Sequence, residues 1–332
     1  MKWSSYVLLV GVLSVLVVLA FIASLLVGPS DLGIIDSLKG FFSTEPSLAW
    51  LVMHEIRLPR ALLGLMIGAT LGLSGAVLQG FLRNPLAEPG ILGISSGAAL
   101  GAVLTIYTGL SAQYALSLPI AGLTGALIAV LLVRMMTGPT GSTLTLILAG
   151  VAVTSFAGAM ATLVLNLSPN PFAAMEILFW MLGSLNDRSM THVWLAGPFM
   201  LAGWVMLASL GRSLDTLTLG SDAAATMGVN VSRLQTFAVV GTAASVGAAV
   251  SVSGAIGFIG LVVPHILRPL VGSVPSRLLP VSALGGAAVL LTADVLVRVI
   301  APGRDLKIGV LTALIGAPFF LWLVHRTRRV GL

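Results

Sequence analysis

Charged residues and cysteine are scarce in this sequence, and both shortages narrow what the chain can be. Of its 332 residues, 8% are charged and 57% are hydrophobic, whereas soluble domains carry about 25% charged residues. Cysteine is absent, which excludes disulfide bonds, thiolate metal sites and lipid anchors on cysteine. The net charge is +6, but the basic residues are dispersed between apolar runs, so we expect no nucleic-acid partner. The composition predicts an integral membrane protein in contact with lipid.

The sequence also lacks a motif for binding and hydrolysing ATP. Lysine occurs only at positions 2, 39 and 307, and none of these residues follows a glycine-rich loop. A P-loop needs a lysine directly after glycine to reach the nucleotide phosphates. The chain therefore carries no Walker motif, and we predict that it is not an enzyme.

Ionisable side chains are absent from 61–81, 91–133 and 135–175, which argues against an ion-coupled carrier because such carriers use mid-membrane charges. Asp294 and Arg298 are one helical turn apart and are predicted to pair, with a proton relay on Asp294 as the alternative.

The four histidines are scattered, so no metal or haem ligand set is expected. Ser74, within Gly-Leu-Ser-Gly at 72–75, matches a rhomboid protease motif. With His265 as base it leaves an intramembrane serine hydrolase as a distant alternative.

Apolar runs predict an all-α, polytopic membrane protein with ten transmembrane helices, short interfacial helices and a single domain over 1–332. Basic residues near Lys2 and at 326–329 place both termini in the cytoplasm. A further apolar segment, 172–185, is too short to cross and is predicted to be interfacial or re-entrant. The predicted spans are about 7–27, 61–81, 91–108, 114–133, 143–167, 193–210, 234–252, 258–270, 279–300 and 308–324.

Glycines recur at helical spacing around a short polar turn after the second span. Because small residues four apart let two helices approach closely in lipid, these stripes predict tight helix packing. The glycines are Gly64, Gly68, Gly72 and Gly75 before the turn, and Gly93, Gly97 and Gly101 after it. The turn is formed by Asn84, Pro85, Glu88, Pro89 and Gly90, where the prolines interrupt helical geometry. The tripeptide Ser-Gly-Ala occurs at both 74–76 and 253–255. This similarity predicts an inverted internal repeat, with chance similarity as the alternative.

Several longer segments resemble one family, the permease subunits of ABC importers for vitamin B12, iron–siderophore complexes and haem. The resemblance covers nearly the whole chain. The segments are RLPR at 57–60, NPLAEPG at 84–90, GISSGAALG at 93–101, FWMLGSL at 179–185, LGSDAAATMGV at 219–229, GFIGLVVPHILRPLVG at 257–272, Asp294 through Arg298, and IGVLTALIGAPFFLWL at 308–323.

The resemblance implies a permease subunit of the cytoplasmic (inner) membrane that forms a pathway with a second permease copy, as a homodimer in the simplest case. Two cytoplasmic ABC ATPase subunits would bind ATP and Mg²⁺, so no cofactor is expected in this chain. An external binding protein would deliver the substrate. Iron chelates, either ferric siderophores or haem, are the commoner cargo of the family, and cobalamin is the alternative. A stand-alone carrier remains a distant alternative.

The resemblance also implies roles for particular residues. The cytoplasmic loop at 212–233 would dock into the ATPase, and Ala224 is expected to face water there, so that a bulky charge would block docking without unfolding the chain. The external segment at 172–185 resembles the outer gate of the family. The coupling residues are Leu219, Gly220, Ser221, Asp222, Ala223, Ala224, Ala225, Thr226, Met227 and Gly228, and the gate residues are Met175, Phe179, Met181, Leu182, Gly183 and Ser184.

Three arginines are implied to meet carboxylates of the binding protein: Arg57, Arg60 and Arg298. Arginine suits this role because its guanidinium can hold a carboxylate through two parallel hydrogen bonds. A lipid-phosphate anchor is the alternative for each. The chain departs from the family pattern at 305–309, where Lys307 stands in place of the usual proline.

Overall fold

The computed structural model describes residues 3–28, 32–138, 142–168, 170–301 and 306–330, and every regular element in those ranges is a helix. Lys2 and Asp305 lie outside these ranges. The α-helices are α1 (Trp3–Leu26), α2 (Ile34–Phe42), α3 (Leu48–Leu51), α4 (Leu58–Phe81), α5 (Ile94–Tyr107), α6 (Leu110–Gln113), α7 (Ser117–Thr137), α8 (Thr143–Asn166), α9 (Pro171–Met181), α10 (Met190–Ala208), α11 (Gly211–Leu217), α12 (Ser221–Thr226), α13 (Val231–Ser253), α14 (Ile259–Leu267), α15 (Pro275–Ile300) and α16 (Ile308–Val330). A π-helical segment, Val52–Arg57, joins α3 to α4, and 3-10 turns occupy Pro89–Leu92 and Pro269–Val271.

Seven helical runs in the described ranges are long and apolar enough to cross a membrane. They contain α1, α4, α7, α8, α10, α13 and α15, and each falls on a predicted span. The other predicted spans fall on α5, α14 and α16, of which α5 has 14 residues and α14 has 9. At 1.5 Å per residue, neither α5 nor α14 alone crosses a bilayer core of about 30 Å. The fold is therefore all-α and membrane-spanning, while the count of ten stays a prediction.

The two short helices are short for local reasons. Gly93 has φ +73°, a left-handed conformation that ends the 3-10 turn and delays α5 to Ile94. Gly254 has φ +71° and ends α13, and Phe258 has φ +68° and is the residue just before α14. Periodicity does not reveal such breaks because the residues on both sides are equally apolar.

Helix α4 is the centre of the bundle. In its helical run 78% of the apolar window is buried, compared with 17% for α1 at the periphery. The predicted glycine stripe is confirmed as a close-packing face: a Cβ on Gly68 or Gly72 would collide with the backbone of α15, and one on Gly75 with the backbone of α14. The second stripe, at Gly97 and Gly101, packs in the same way against α7.

The bundle has two ends that carry the predicted functional residues. The arginine end, defined by Arg57, Arg60 and Arg298, contains the C-terminus of α1, the N-terminus of α4 and the C-terminus of α15. The α12 end lies opposite, where α11 contacts the C-terminal part of α4 and the Asp215 carboxylate accepts a 2.8 Å hydrogen bond from the Ser276 N–H of α15. The Ser-Gly-Ala segments occupy different settings, inside α4 and at the end of α13, and the inverted repeat stays a prediction.

Candidate functional site

A carboxylate with two guanidinium partners forms the core of the arginine end. Asp294 is fully buried, and Arg60 donates to it in bidentate fashion, from Nε to Oδ1 at 2.9 Å and from Nη2 to Oδ1 at 2.8 Å, with Nε also 3.1 Å from Oδ2. Arg298, one turn along α15, donates from Nη2 to Oδ2 at 2.6 Å. The predicted Asp294–Arg298 pair is confirmed. These contacts tie α4 to α15 through a charge that would be costly to bury without partners.

The same cluster closes the C-terminus of α1. The last four carbonyls of a helix have no partner within it. Here Arg57 Nη1 donates to the Leu25 and Leu26 carbonyls at 3.0 Å each, and Arg298 Nη1 donates to the Ser24 carbonyl at 3.0 Å and to that of Val27. Cations at this position also face the negative end of the helix dipole. Two arginines from distant segments therefore hold the end of the first helix.

These contacts leave little of the three guanidinium groups for an external partner. Arg57 is 3% exposed, the Arg298 side chain 6% and the Arg60 side chain 12%. Arg57 also donates to Ser37 Oγ of α2 at 3.1 Å. The structure brings the three arginines together, as expected for a shared surface, but the groups are used inside the chain. Contact with a binding protein stays a prediction.

The gate-like segment also lies at the arginine end and is fastened by backbone bonds. The Ser184 N–H donates to the Ser253 carbonyl at 2.7 Å, and the Gly309 N–H donates to the Gly183 carbonyl at 3.3 Å. A Cβ on Gly309 would collide with the carbonyl of Leu182, so α16 packs closely on the segment. Met175, Phe179, Met181 and Leu182 are exposed. The segment thus combines a fixed backbone with a free apolar face.

Two cations lie beside this segment. Lys307 Nζ is 5.5 Å from the centroid of the Phe179 ring, a cation–π contact. Arg188 donates from Nε to the Val252 carbonyl. Burial lowers the pKa of the Arg188 guanidinium, and the neighbouring Asp187 carboxylate opposes that shift.

At the α12 end, two glycines with left-handed backbone frame a short helix. Gly220 has φ +112° and precedes α12, and Gly228 has φ +86° and follows it. The Val229 N–H donates to the Ala224 carbonyl at 2.9 Å, which closes the C-terminus of the helix. A side chain at either glycine would strain these turns. The local sequence therefore fixes both bounds of α12.

The orientation of α12 corrects one prediction. Ala224 is 0% exposed and belongs to the hydrophobic core, so the expectation that it faces water is wrong. Helix α12 packs against both α11 and α13, and a bulky charge at the buried Ala224 would disturb the fold. The outward residues include Leu219 and Met227, which are 66% and 64% exposed. The other exposed residues of the loop are Arg212, Thr218, Ser221, Asp222, Ala225, Thr226, Gly228, Asn230 and Arg233.

The polar turn after α4 is only half solvated. Asn84 and Pro85 are exposed, and Asn84 Oδ1 accepts a 2.9 Å hydrogen bond from the Leu86 N–H. Pro89 is buried against Gly260 of α14, and Gly90 is half-buried. Burial raises the pKa of the Glu88 carboxyl above its ordinary value, although a hydrogen bond from the Phe258 backbone opposes the rise. The turn therefore enters the bundle from the α12 end.

The alternative chemistries receive no support from the described residues. The Ser74 hydroxyl is fully buried and lies 3.4 Å from the Ser245 hydroxyl, while the His265 ring packs edge-on against Phe319. Asp294 is occupied by two arginines, which is the environment of a structural ion pair. No cluster of metal-ligating residues is found in the described ranges.

Sequence reasoning missed two features. Helix α2 lies between the first two predicted spans, where no particular helix was predicted, and it exposes Ile34, Ile35, Leu38 and Phe42. The spacing of these residues is a detectable helical signal. The second is a buried polar pair that connects α4 to α14: Arg268 Nη2 donates to Gln79 Oε1 at 2.7 Å, and Gln79 Nε2 donates to the Leu261 carbonyl at 3.1 Å. No local pattern predicts this long-range contact.

Comparison with known proteins gives a consistent result. The model of the FecCD transport family matches residues 16–326. The chain is 43% identical over 283 residues to the cobalamin import permease BtuC of Halobacterium salinarum, with 84% of this chain and 75% of that protein covered. It is 39% identical to the ferric enterobactin permease FepD of Escherichia coli, with 96% and 95% covered. It is 37% identical to the hemin permease HmuU of Yersinia pestis, with 97% and 96% covered.

A solved structure supports the same grouping. It is described as an inward-facing conformation of a metal-chelate type ABC transporter. The match has a TM-score of 0.84 and 32% sequence identity, and it covers 96% of this chain and 98% of that one. The resemblance inferred from the sequence motifs is confirmed across the chain.

Proposed function

Because this chain belongs to the FecCD transport family and is a permease component of an ABC importer for iron chelates or vitamin B12, we propose that two copies of it form the pathway for a bulky ferric siderophore or haem. The relatives carry mixed cargoes, including hemin, ferric enterobactin and cobalamin. Cobalamin is therefore the second candidate. Two ATPase subunits supply the energy, and an external binding protein delivers the chelate.

The observation that carries this proposal is the exposed apolar surface around α12. Leu219 and Met227 are large apolar side chains that flank this short helix and are exposed, and Ala225 within the helix is exposed as well. An exposed apolar surface is typical of an interaction site. We place this loop in the cytoplasm, where it docks into the ATPase, and both termini on the same side.

The arginine end then faces outward. The gate-like segment, α9 and 182–184, covers the outer mouth of the pathway, and an open apolar cavity of about 590 Å³ adjoins it between Leu182, Phe258 and α16. A second copy placed against this side would convert the open cavity into an enclosed passage. The binding protein docks over the arginine end, where Arg60 is the most exposed of the three arginines.

Reconstituted transport tests the proposal. The permease is placed in liposomes with its genomically adjacent ATPase and binding protein, and uptake of a ferric siderophore, haem and cobalamin is measured. Uptake of one of these that requires both ATP and the binding protein is expected. Uptake driven by an ion gradient without the ATPase would contradict the proposal and favour a stand-alone carrier.

A matched pair of variants tests the coupling role. Ala225→Arg places a bulky charge on the exposed face of α12 and should prevent ATPase binding, whereas Ala225→Ser keeps a small residue and should transport normally. Single cysteines test the orientation, since the native chain has none. A cysteine at Met227 should react with an impermeant maleimide only from inside, and one at Lys39 only from outside.

A further inference from the structure

Helix α2 has three faces, and one of them is fixed to the rest of the chain. On this inner face Ser37 and Gly40 are buried. Gly40 lies so close to Ala49 of α3 that a Cβ on the glycine would collide with the backbone there. Phe41 stacks on His54 of the π-helical segment, with the ring centroids 5.4 Å apart. The orientation of α2 about its own axis is therefore fixed by packing.

A second face of α2 is apolar and exposed. Because successive residues are about 100° apart around a helix, its four large apolar side chains fall within one arc of about 100°. The most exposed of them is Phe42, at 78%. The four residues, which we call the apolar face of α2, are Ile34, Ile35, Leu38 and Phe42.

The charged residues of α2 occupy the third face. Asp36 and Lys39 are both exposed, and their positions in the sequence place them between the apolar face and the inner face. Charge and apolar area are therefore separated around the helix. Separate protein-facing, apolar and charged faces suit a helix at a position where protein, lipid and water meet.

Arg57 fixes the level of α2 relative to the first spanning helix. Its Nη1 donates to the Leu25 and Leu26 carbonyls of α1 at 3.0 Å each and to Ser37 Oγ of α2 at 3.1 Å. Helix α1 has 24 residues, or about 36 Å at about 1.5 Å per residue, which exceeds a hydrocarbon core of about 30 Å. The end of α1, and α2 with it, therefore lies at a membrane surface.

Lipid is also the neighbour that α1 brings to this position. Among the seven spanning runs in the described ranges, the run of α1 is the least buried, at 17%. Leu19 and Ile22, in the second half of α1, are exposed. Because α2 contacts α1, the lipid that surrounds α1 is also next to α2.

We propose that α2 is an interfacial helix whose apolar face inserts about 5–10 Å into the boundary between headgroups and acyl chains of the outer leaflet. The charges of Asp36 and Lys39 offset each other, so apolar contact holds the helix, and anionic lipids are not selected. Through Arg57 the inserted helix also holds the end of α1 at the membrane surface. The choice of the outer leaflet rests on the proposed orientation, whereas insertion itself does not.

Fluorophores on single cysteines test the insertion, because the native chain has no cysteine. Leu38→Cys and Phe42→Cys place the fluorophore on the apolar face, and Lys39→Cys, on the charged face of the same helix, is the matched control. All three side chains are exposed, so the packing of α2 is kept. The full-length permease alone is reconstituted in nanodiscs of phosphatidylcholine. Quenching is measured with a lipid that carries a nitroxide near its headgroup and, separately, with iodide in the water.

The nitroxide lipid should quench the fluorophores at Leu38 and Phe42 about twofold or more, while iodide should have little effect on them. The control at Lys39 should show the reverse. Adding phosphatidylglycerol to the nanodiscs should change none of these values. Equal quenching of all three positions by iodide would overturn the proposal, and so would lipid quenching that requires phosphatidylglycerol.

The binding protein is the competing occupant of the apolar face. Adding it in saturating amount should leave the lipid quenching at Leu38 unchanged. If it excludes the nitroxide lipid instead, α2 is a docking surface for that protein and the proposal fails. Because the first measurement needs neither ATPase nor cargo, insertion can be found without ATP-driven uptake, and its absence would leave the importer proposal standing.

Discussion

The two ends of the bundle both carry residues that the sequence marks as partner surfaces, yet they are built differently. At the arginine end, every guanidinium donates to groups of the same chain, and the carboxylate of Asp294 is fully buried. At the α12 end, Leu219 and Met227 are exposed on either side of α12, and Ala224 within that helix is buried. At the arginine end the charged residues therefore form a structural clamp, whereas at the α12 end large apolar side chains are left exposed.

The largest effect is expected at the clamp. Asp294→Asn keeps the shape of the side chain but leaves Arg60 and Arg298 close together without a counter-charge. Removing one partner of a buried ion pair costs about 3–5 kcal/mol. We expect a corresponding fall in the free energy of unfolding of the purified protein in detergent. Asp222→Asn, at an exposed position, is the control, and equal stability of the two variants would show that the cluster is not a clamp.

The next effect is expected at the α12 end. Leu219→Glu combined with Met227→Glu should leave stability unchanged, because both side chains are exposed, but it should weaken ATPase binding by about 2–4 kcal/mol, as for apolar hot spots. Pull-down titration against the partner ATPase measures the loss. The control exchanges the two residues, Leu219→Met with Met227→Leu, and keeps the apolar area. A fall in the melting temperature of the Glu variant would place these residues in the fold instead.

A smaller effect is expected from one arm of the clamp. Arg57→Met removes the donors to the Leu25 and Leu26 carbonyls and to Ser37, and should cost about 1–3 kcal/mol. The end of α1 should loosen, which a single cysteine at Val27 reports as faster maleimide labelling. Binding to the ATPase should not change. Arg212→Met, exposed on α11, provides the comparison, and identical labelling in both variants would argue against the capping role.

The smallest effect concerns Glu88, which lies in the polar turn after α4 and is directed into the bundle. Because burial raises the pKa of its carboxyl above the ordinary 4.5, the native chain holds that proton more tightly than the unfolded chain. Stability contributed by this group is therefore lost as pH rises from about 4.5 to the native pKa.

Glu88→Gln should flatten the dependence of unfolding free energy on pH in that window, whereas Glu45→Gln, at an exposed position, should not. A slope that stays the same in Glu88→Gln would show that another group is responsible. Such a result would also weaken the comparison between the two ends. In that comparison, the burial of a charged residue determines its effect on stability, and the end of the bundle on which it lies does not.

Much of the bundle is predictable from the sequence because its determinants are local. The long apolar runs locate seven spanning helices, and the spacing of Gly68 and Gly72 locates the face on which α15 packs. The pairing of Asp294 with Arg298 follows from a separation of one turn. Each of these signals depends on residues within a few turns of one helix.

The remainder depends on contacts between distant segments. Arg60 donates to Asp294, 234 positions away in the sequence. No spacing rule predicts that this guanidinium is bonded within the chain. Ala223, Ala224 and Ala225 are chemically equivalent in the sequence, so only packing decides that Ala224 faces inward. The family resemblance supplied the roles, and the structure decided which side chains are free to perform them.

The closure of α1 also has a consequence for the order in which the protein is made. Arg298 reaches the Ser24 carbonyl across 274 positions. A ribosome that adds about 5–20 residues per second needs roughly 15–55 s to cover that distance. During that interval the first helix is already in the bilayer with its terminal carbonyls uncapped by Arg298. Helix α1 is thus made long before the residue that caps its end, and a chain that stops before α15 lacks this contact.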